Sequence, residues 1–193
     1  MAFSNLELSI LGEIGNVSVG GAATSLSDFV NKLVTISIPK TQITTTKRIR
    51  EEFPIPMYVK IDYTGELEGS NLLMIDKEQG LEFTKIIAKE KIGMEIDEWG
   101  ELSENVLKEV FNIMAGHMAN SMEIIFKKEV RIKPPEFEDG DAKDAFGTEE
   151  NETVVLVSFD IKVEGEIKIK MVNVIKKEQA EIMINLIAGG FKL

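Results

Sequence analysis

A carboxylate and a carboxamide spaced three residues apart occur twice in the chain, in two stretches that resemble each other. The first pair is Glu13 and Asn16, and the second is Glu109 and Asn112. On an α-helix, residues at positions i and i+3 lie on the same face. A carboxamide can hold a water molecule because it donates and accepts hydrogen bonds, and an exposed carboxylate can pair with a lysine of another protein. Together these groups can promote hydrolysis of an activated substrate by positioning.

Each pair belongs to a longer pattern with the same spacing. In the first copy, Ser9 stands four residues before the glutamate and Pro39 follows the asparagine after twenty-two residues; Asn105 and Pro135 hold these places in the second copy. One Glu and Asn pair on a helix is usually plain solvated surface. Exposed positions of duplicated segments diverge quickly, however, so a pair present in both copies indicates a function. We interpret both pairs as candidate catalytic residues, supported by Ser9 and Asn105 on the helices and by the two prolines at strand ends.

The resemblance between the two halves extends along most of the chain. They align at an offset of ninety-six residues over the motif helices and of one hundred over the following hairpins, which puts four extra residues in the acidic segment 136–152. Two repeats are therefore predicted, at about 4–92 and 101–191. We predict a single α/β (α+β) domain, 1–193, with pseudo-twofold symmetry, a six-stranded sheet, and the two long motif helices packed together on one side.

Local patterns predict the elements that position the pairs. Ser4 and Glu7 form a capping box before a helix that extends to about Asp28, and its many glycines require a closely packed neighbour. The second motif helix is predicted from about Glu101 to Phe126. Alternating apolar residues and turn signals predict the remaining elements: strands within 33–43 (ending near Pro39) and 129–133, hairpins at 57–75 and 155–171, helices at 76–91 and 176–187, and loops at 44–53 and 136–152.

Composition excludes several other classes of function. The chain has no cysteine and one histidine, His117, so disulfides, thiolate chemistry and an imidazole-rich metal site are not expected. The net charge of -11 argues against binding to nucleic acid or to an anionic membrane, because both need a basic surface. The sequence shows neither a signal peptide nor a stretch long enough to span a bilayer. We therefore predict a cytoplasmic protein.

The pattern Ser-x3-Glu-x2-Asn-x22-Pro resembles the signature of the CheC/CheX/FliY family, which removes phosphate from the aspartyl phosphate of the chemotaxis response regulator CheY. Two copies without an added flagellar-switch domain are similar to the CheC type. The resemblance implies that Asn16 and Asn112 orient the attacking water and that Glu13 and Glu109 pair with a lysine of the receiver domain. It also implies that the receiver holds the Mg2+, so that this chain binds no cofactor or metal.

The resemblance implies a phosphorylated CheY-type receiver as partner. The family is also associated with the receptor deamidase CheD, although the acidic segment contains no amphipathic helix suited to that contact. Phe111 replaces Gly15 in the second copy, and Asn105 replaces Ser9, which leaves open whether both sites are active. The alternative function is a docking module for a receiver or CheD without hydrolysis. A ligand-binding domain would need an apolar pocket, which the small residues of the first motif helix do not indicate.

Overall fold

The structure is a computed structural model in which residues 3–139, 151–164 and 167–190 are described. Residues 140–150 of the predicted acidic loop, and Gly165 of the turn predicted at Glu164 and Gly165, thus lie outside the described residues. The helices are α1 (Asn5–Gly20), α2 (Ala22–Val30), α3 (Thr46–Glu52), α4 (Lys77–Ile92), α5 (Glu101–Phe126) and α6 (Lys177–Gly190). The strands are β1 (Val34–Ile36), β2 (Lys40–Thr45), β3 (Pro56–Gly65), β4 (Gly69–Asp76), β5 (Val130–Ile132), β6 (Glu136–Asp139), β7 (Thr153–Val163) and β8 (Lys168–Lys176). The predicted mixed α/β domain is confirmed.

One antiparallel sheet contains all the strands that the structure describes. Its order is β1-β7-β8-β4-β3-β5, with β2 paired to β7 beyond β1 and β6 paired to β3 beyond β5. Eight strands therefore fill six positions across the sheet, because each outer position holds two short strands. The hairpins β3–β4 and β7–β8 meet in the middle, where Leu73 of β4 faces Asn173 of β8. The two hairpins share one sheet, as the sequence predicts.

Each outer position of the sheet is interrupted at a proline. Between β1 and β2, the three residues that end with Pro39 lie opposite two residues of β7. Between β5 and β6, the three residues that end with Pro135 lie opposite two residues of β3. Proline has no backbone donor and interrupts a strand ladder. Each strand stops before its proline as predicted, but pairing resumes after it.

The elements after these breaks correct the sequence analysis. The predicted loop at 44–53 is wrong, because β2 continues to Thr45 and α3 follows, with the Thr45 side chain accepting a hydrogen bond from the Arg48 amide. The start of the predicted acidic loop is also wrong, because β6 occupies 136–139. Strands β2 and β6 are short, polar and at the edge of the sheet, so their sequences show no apolar alternation. Their conformation depends on pairing with β7 and β3.

The predicted first motif helix is two helices. Helix α1 ends at Gly20 and α2 begins at Ala22, and Gly21 between them keeps helical dihedral angles without a side-chain cap. Two adjacent glycines weaken a helix at that point, since each costs about 1 kcal/mol relative to alanine. The Ser25 hydroxyl on α2 lies 2.6 Å from Nε2 of His117 on α5, which ties the two helices together.

The second half of the chain has four more residues than the first, and the strand pairing places these four residues differently from the sequence alignment. Val34 pairs with Val163 at one edge, and Val130 pairs with Gly65 at the other. Strands β3 and β7 thus correspond at an offset of ninety-eight, where their first eight positions also have the same burial pattern. Two extra residues therefore precede β7 and two lie between β7 and β8. A shift of two residues leaves every side chain on the same face, so alternation alone could not detect it.

The main core lies between the sheet and the helices α1, α2, α4, α5 and α6. Helices α1 and α5 pack against each other on this side of the sheet, as predicted. A smaller cluster covers part of the other face, where Ile49 of α3 and Phe53, which follows this helix, pack on sheet residues such as Met74. Because one side of α1 and of α5 is buried, the opposite side of each is left for the Glu and Asn pairs.

Candidate functional site

Helix α1 presents Glu13 and Asn16 away from the core. Its buried residues, among them Leu11 and Ile14, face the sheet, while Glu13 is exposed and Asn16 is half-buried. Gly15 lets the helix lie close to the sheet, because a Cβ atom there would be 2.8 Å from Cγ1 of Val157 on β7. The atoms nearest to Gly12 and Gly15 thus belong to the strands β2 and β7, and not to a neighbouring helix as the sequence predicts; only Gly21, after the end of α1, lies near His117 of α5.

Helix α5 presents the second pair in the same way. Glu109 and Asn112 are both exposed, and the neighbouring Phe111 is fully buried. The Phe111 ring lies 5.8 Å from that of Phe137 on β6, with 44° between their planes. Phe111 therefore packs between α5 and strand β6, and does not lie on the exposed face of α5 that carries Glu109 and Asn112.

The predicted supporting residues lie around these pairs rather than in contact with them. Ser9 is exposed, and its hydroxyl donates to the Asn5 carbonyl one turn earlier at 2.9 Å. Asn105 is exposed at the corresponding position of α5. Pro39 and Pro135 are half-buried in the two edge breaks. Two of these residues thus lie on the motif helices and two at the sheet edges. None of the described hydrogen bonds joins any of the four to a Glu or Asn of the pairs.

Neither glutamate of the pairs is engaged within the part of the chain that the structure describes. No ion pair or hydrogen bond reaches the carboxylates of Glu13 and Glu109, or the carboxamides of Asn16 and Asn112, from the described residues. A carboxylate and a carboxamide with free polar atoms, held side by side on a helix, can both bind groups of another molecule. The described ranges also contain no group of three His, Cys, Asp or Glu residues that could hold a metal ion.

Sequence reasoning missed a difference between the two sites at the position four residues before each asparagine. Gly12 stands there in α1, where a Cβ atom would be 3.2 Å from the Thr41 hydroxyl. Lys108 stands there in α5, forms an ion pair with Glu104, and has its ammonium 5.3 Å from the centre of the Phe137 ring. The alignment of the two copies contains this signal, because Gly12 and Lys108 are ninety-six residues apart.

Known proteins share both the motif regions and the fold. The model of the CheC-like family matches residues 6–43 and 102–138, which include both pairs. The flagellar motor switch phosphatase FliY of Bacillus subtilis (strain 168) is 35% identical over 172 residues, 85% of this chain and 44% of that protein. This chain therefore spans less than half the length of that relative.

Solved structures of similar proteins have the same fold as this chain. The crystal structure of Thermotoga maritima FliY superposes with a TM-score of 0.83 at 26% identity, covering 98% of this chain and 99% of that one. A CheX in complex with CheY, BeF3 and Mg2+ from Borrelia burgdorferi has the same fold, with a TM-score of 0.54 and 19% identity over 84% of this chain and 95% of that one. The sheet, the paired helices and the repeated motif define a domain of the CheC/CheX/FliY class. The chain belongs to the CheC-like family.

Two sequence predictions about setting stay predictions. Among the described helices, none combines the length and apolar character needed to cross a membrane. The two predictions concerned are the cytoplasmic location and the preference for the CheC type over the FliY type. The limits of the two repeats, about 4–92 and 101–191, also stay a prediction.

Proposed function

We propose that this chain hydrolyses the aspartyl phosphate of a CheY-type response regulator. The observation that carries the proposal is the pair of unengaged Glu and Asn side chains on α1, where Glu13 is exposed and Asn16 half-buried, found again fully exposed on α5. Two relatives support it. The FliY of B. subtilis is named a phosphatase, and the CheX of B. burgdorferi was crystallised with CheY bound to BeF3 and Mg2+.

In the proposed mechanism, each helix places its asparagine in the active site of the receiver. The carboxamide of Asn16 or Asn112 accepts a hydrogen bond from a water molecule and so orients it for in-line attack on the phosphorus. The attacking oxygen bonds to phosphorus as the bond to the aspartyl oxygen breaks. Such a reaction needs mainly positioning and charge neutralisation, and the receiver's own Mg2+ supplies the latter. This chain contributes no metal or cofactor.

In the same proposal, Glu13 and Glu109 fix the position of the receiver. Each carboxylate lies one helical turn before its asparagine and pairs with a lysine of the receiver. The contact excludes water from both groups, which makes the pair more selective than an exposed ion pair. The glutamates therefore provide orientation, and the asparagines act on the water.

The shape of the surface favours a protein substrate over a small molecule. Two depressions among the described residues lie near Ile124 at the end of α5 and near Ser158 on β7. Neither is lined by a residue of the Glu and Asn pairs. A helix face with unengaged polar groups that lies outside these depressions suits contact with a cleft of another protein.

The test is phosphate release from a phosphorylated CheY-type receiver with Mg2+, comparing the unaltered protein with Asn16→Ala, Asn112→Ala and the double variant. We expect each single variant to keep part of the acceleration, and the double variant to lose about 100-fold or more, as when one positioned donor is removed from an active site. Asn120→Ala is the matched control, because Asn120 is an exposed asparagine on α5 outside the motif. It should behave as the unaltered protein.

Two outcomes would contradict the proposal. If the double variant accelerates release as well as the unaltered protein, the asparagines do not position the water. If the unaltered protein binds the receiver without accelerating release, the alternative of a docking module is correct. Binding to CheD stays a prediction, and most of the segment considered for it, 140–150, lies outside the described residues.

A further inference from the structure

Lys108 lies beside the second Glu and Asn pair, and Gly12 leaves the corresponding place empty beside the first. At about 100° per residue, Asn112 lies between Lys108 and Glu109 when α5 is viewed along its axis. Cβ atoms at positions i and i+4 are about 6 Å apart, so the lysine side chain begins one turn from the asparagine. Lys108 pairs with Glu104, and the counterparts of these two residues in the first copy are the uncharged Gly12 and Leu8. The two candidate sites thus differ by an ion pair whose lysine is the member closer along the helix to the asparagine.

The ammonium of Lys108 is held in place but is still accessible. It pairs with Glu104 one turn earlier and lies over the Phe137 ring, while 41% of the side chain remains exposed. An ammonium near a ring face is attracted by the ring, and the contact restricts the flexible lysine chain. The charge therefore stays at the rim of the second site.

The difference between the sites involves several positions that change together. Three positions around the first site carry small side chains or none, and their counterparts in the second copy carry large ones: Gly12 and Lys108, Gly15 and Phe111, Thr41 and Phe137. Phe111 packs on Phe137, and Phe137 lies under Lys108. The second site is thus built around an aromatic support for a lysine that the first site lacks.

We propose that Lys108 is a specificity-determining residue that makes the second site bind a phosphorylated receiver more tightly than the first. The proposal rests on the function proposed above. A phosphoryl group carries nearly two negative charges, and a chain with a net charge of -11 repels it. A positive charge at the rim lowers this repulsion where Asn112 must approach the phosphate. Because Glu13 and Glu109 are alike in both sites and Glu104 lies a further turn away from Asn112, Lys108 is the charge nearest to the asparagine that distinguishes the two helices.

The experiment uses two proteins that each keep one site. Glu13→Ala with Asn16→Ala leaves the second site, and Glu109→Ala with Asn112→Ala leaves the first. The Kd for a receiver loaded with beryllofluoride and Mg2+ is measured for each at low and high salt. We expect the second-site protein to bind about 3- to 10-fold more tightly at low salt. The difference should shrink near 1 M salt, where the Debye length is about 3 Å.

Two substitutions assign the effect to the lysine. Lys108→Met keeps a side chain over Phe137 but removes the charge, and it should abolish the advantage of the second-site protein. Gly12→Lys should tighten binding by the first-site protein, with Gly12→Ala as control for the added Cβ atom. Lys85→Met is the matched control for loss of one positive charge, because Lys85 pairs with Glu82 on α4. It should leave the Kd of the second-site protein unchanged.

Equal Kd values for the two one-site proteins overturn the proposal, and so does a Lys108→Met variant that binds as well as its parent. Absence of binding by the second-site protein also overturns it. The beryllofluoride receiver is not hydrolysed, so these results do not depend on catalysis. If Lys108→Met weakens binding while the unaltered protein never accelerates phosphate release, the hydrolytic function fails and the role of Lys108 stands.

Discussion

The glutamates of the two candidate sites contribute little to the stability of this chain. An exposed ion pair contributes only about 0–1 kcal/mol to the stability of a protein. Glu13 and Glu109 have no such pair among the described residues, so replacing either with alanine removes little from the fold. Across an interface, a charge pair acts mainly on the rate of encounter and on the choice of partner. Loss of these carboxylates should therefore appear in binding and leave folding nearly unchanged.

Tyr63 on β3 gives the stability a specific dependence on pH. Its side chain is buried, and burial raises the pKa of the Tyr63 hydroxyl well above its usual value, an effect that the neighbouring Asn71 partly offsets. In the unfolded chain a tyrosine loses its proton near pH 10. The neutral hydroxyl is therefore favoured by folding, and its contribution is complete below about pH 10 and is lost as the pH rises further.

We expect the free energy of unfolding to fall above about pH 10, by at most about 1.4 kcal/mol per pH unit from this group. Urea unfolding of the unaltered protein and of Tyr63→Phe between pH 8 and pH 11 measures the effect. The phenylalanine variant should lose stability less steeply, because it has no proton to release. Identical slopes for the two proteins would show that Tyr63 does not cause the alkaline loss.

At the scale of elements, the approach of α1 to β7 depends on the absence of a side chain at Gly15. Gly15→Ala places a Cβ atom 2.8 Å from Cγ1 of the buried Val157, whose branched side chain has few other rotamers. We expect a loss of about 1–3 kcal/mol in the free energy of unfolding, as for other overpacked cores. Chemical denaturation measures it.

Gly116→Ala is the matched control on α5, because a Cβ atom there meets nothing within 4 Å. This substitution should stabilise the protein by about 0.5–1 kcal/mol, since alanine is the better helix residue. A Gly15→Ala variant as stable as Gly116→Ala would mean that α1 can move off the sheet without cost.

The helices could be predicted better than the strands at the sheet edge, for physical reasons. Ser4 with Glu7 and Asp76 make local caps that the sequence displays, and both caps occur in the structure. Strand β2 has no such local signal, because its conformation depends on pairing with β7. Helix α3 has a local cap at Thr45, which sequence reasoning missed. The Glu and Asn pairs could be found from spacing alone. The environment of Lys108 could not, since it depends on Phe137, which is near only after β6 pairs with β3.

At the scale of the whole molecule, both candidate sites belong to one packed arrangement of helices on a sheet. Helices α1 and α5 rest on the same side of a single sheet and pack against each other. Their positions therefore depend on strands from both halves of the chain. A change that separates the hairpins should disturb both sites at once, whereas a change at one rim should affect one site.

The pairing of β4 with β8, here called the seam between the hairpins, allows a prediction about residues 93–100, which link α4 to α5. A protease site inserted after Gly93, where the surroundings are open, can be cut in the folded protein. We expect the two fragments to elute together in gel filtration and to separate only in denaturant. Five consecutive residue pairs join β4 to β8, and their side chains toward the helices are buried. Fragments that elute separately without denaturant would contradict this.

A backbone cut there would leave the native assembly intact, so the noncovalent seam, rather than the peptide bonds between the halves, holds them in place. The two pieces would then behave as complementing subunits of a heterodimer. Mixing a piece that carries Asn16→Ala with an unaltered second piece would yield a hybrid protein with one altered site, without a new full-length gene.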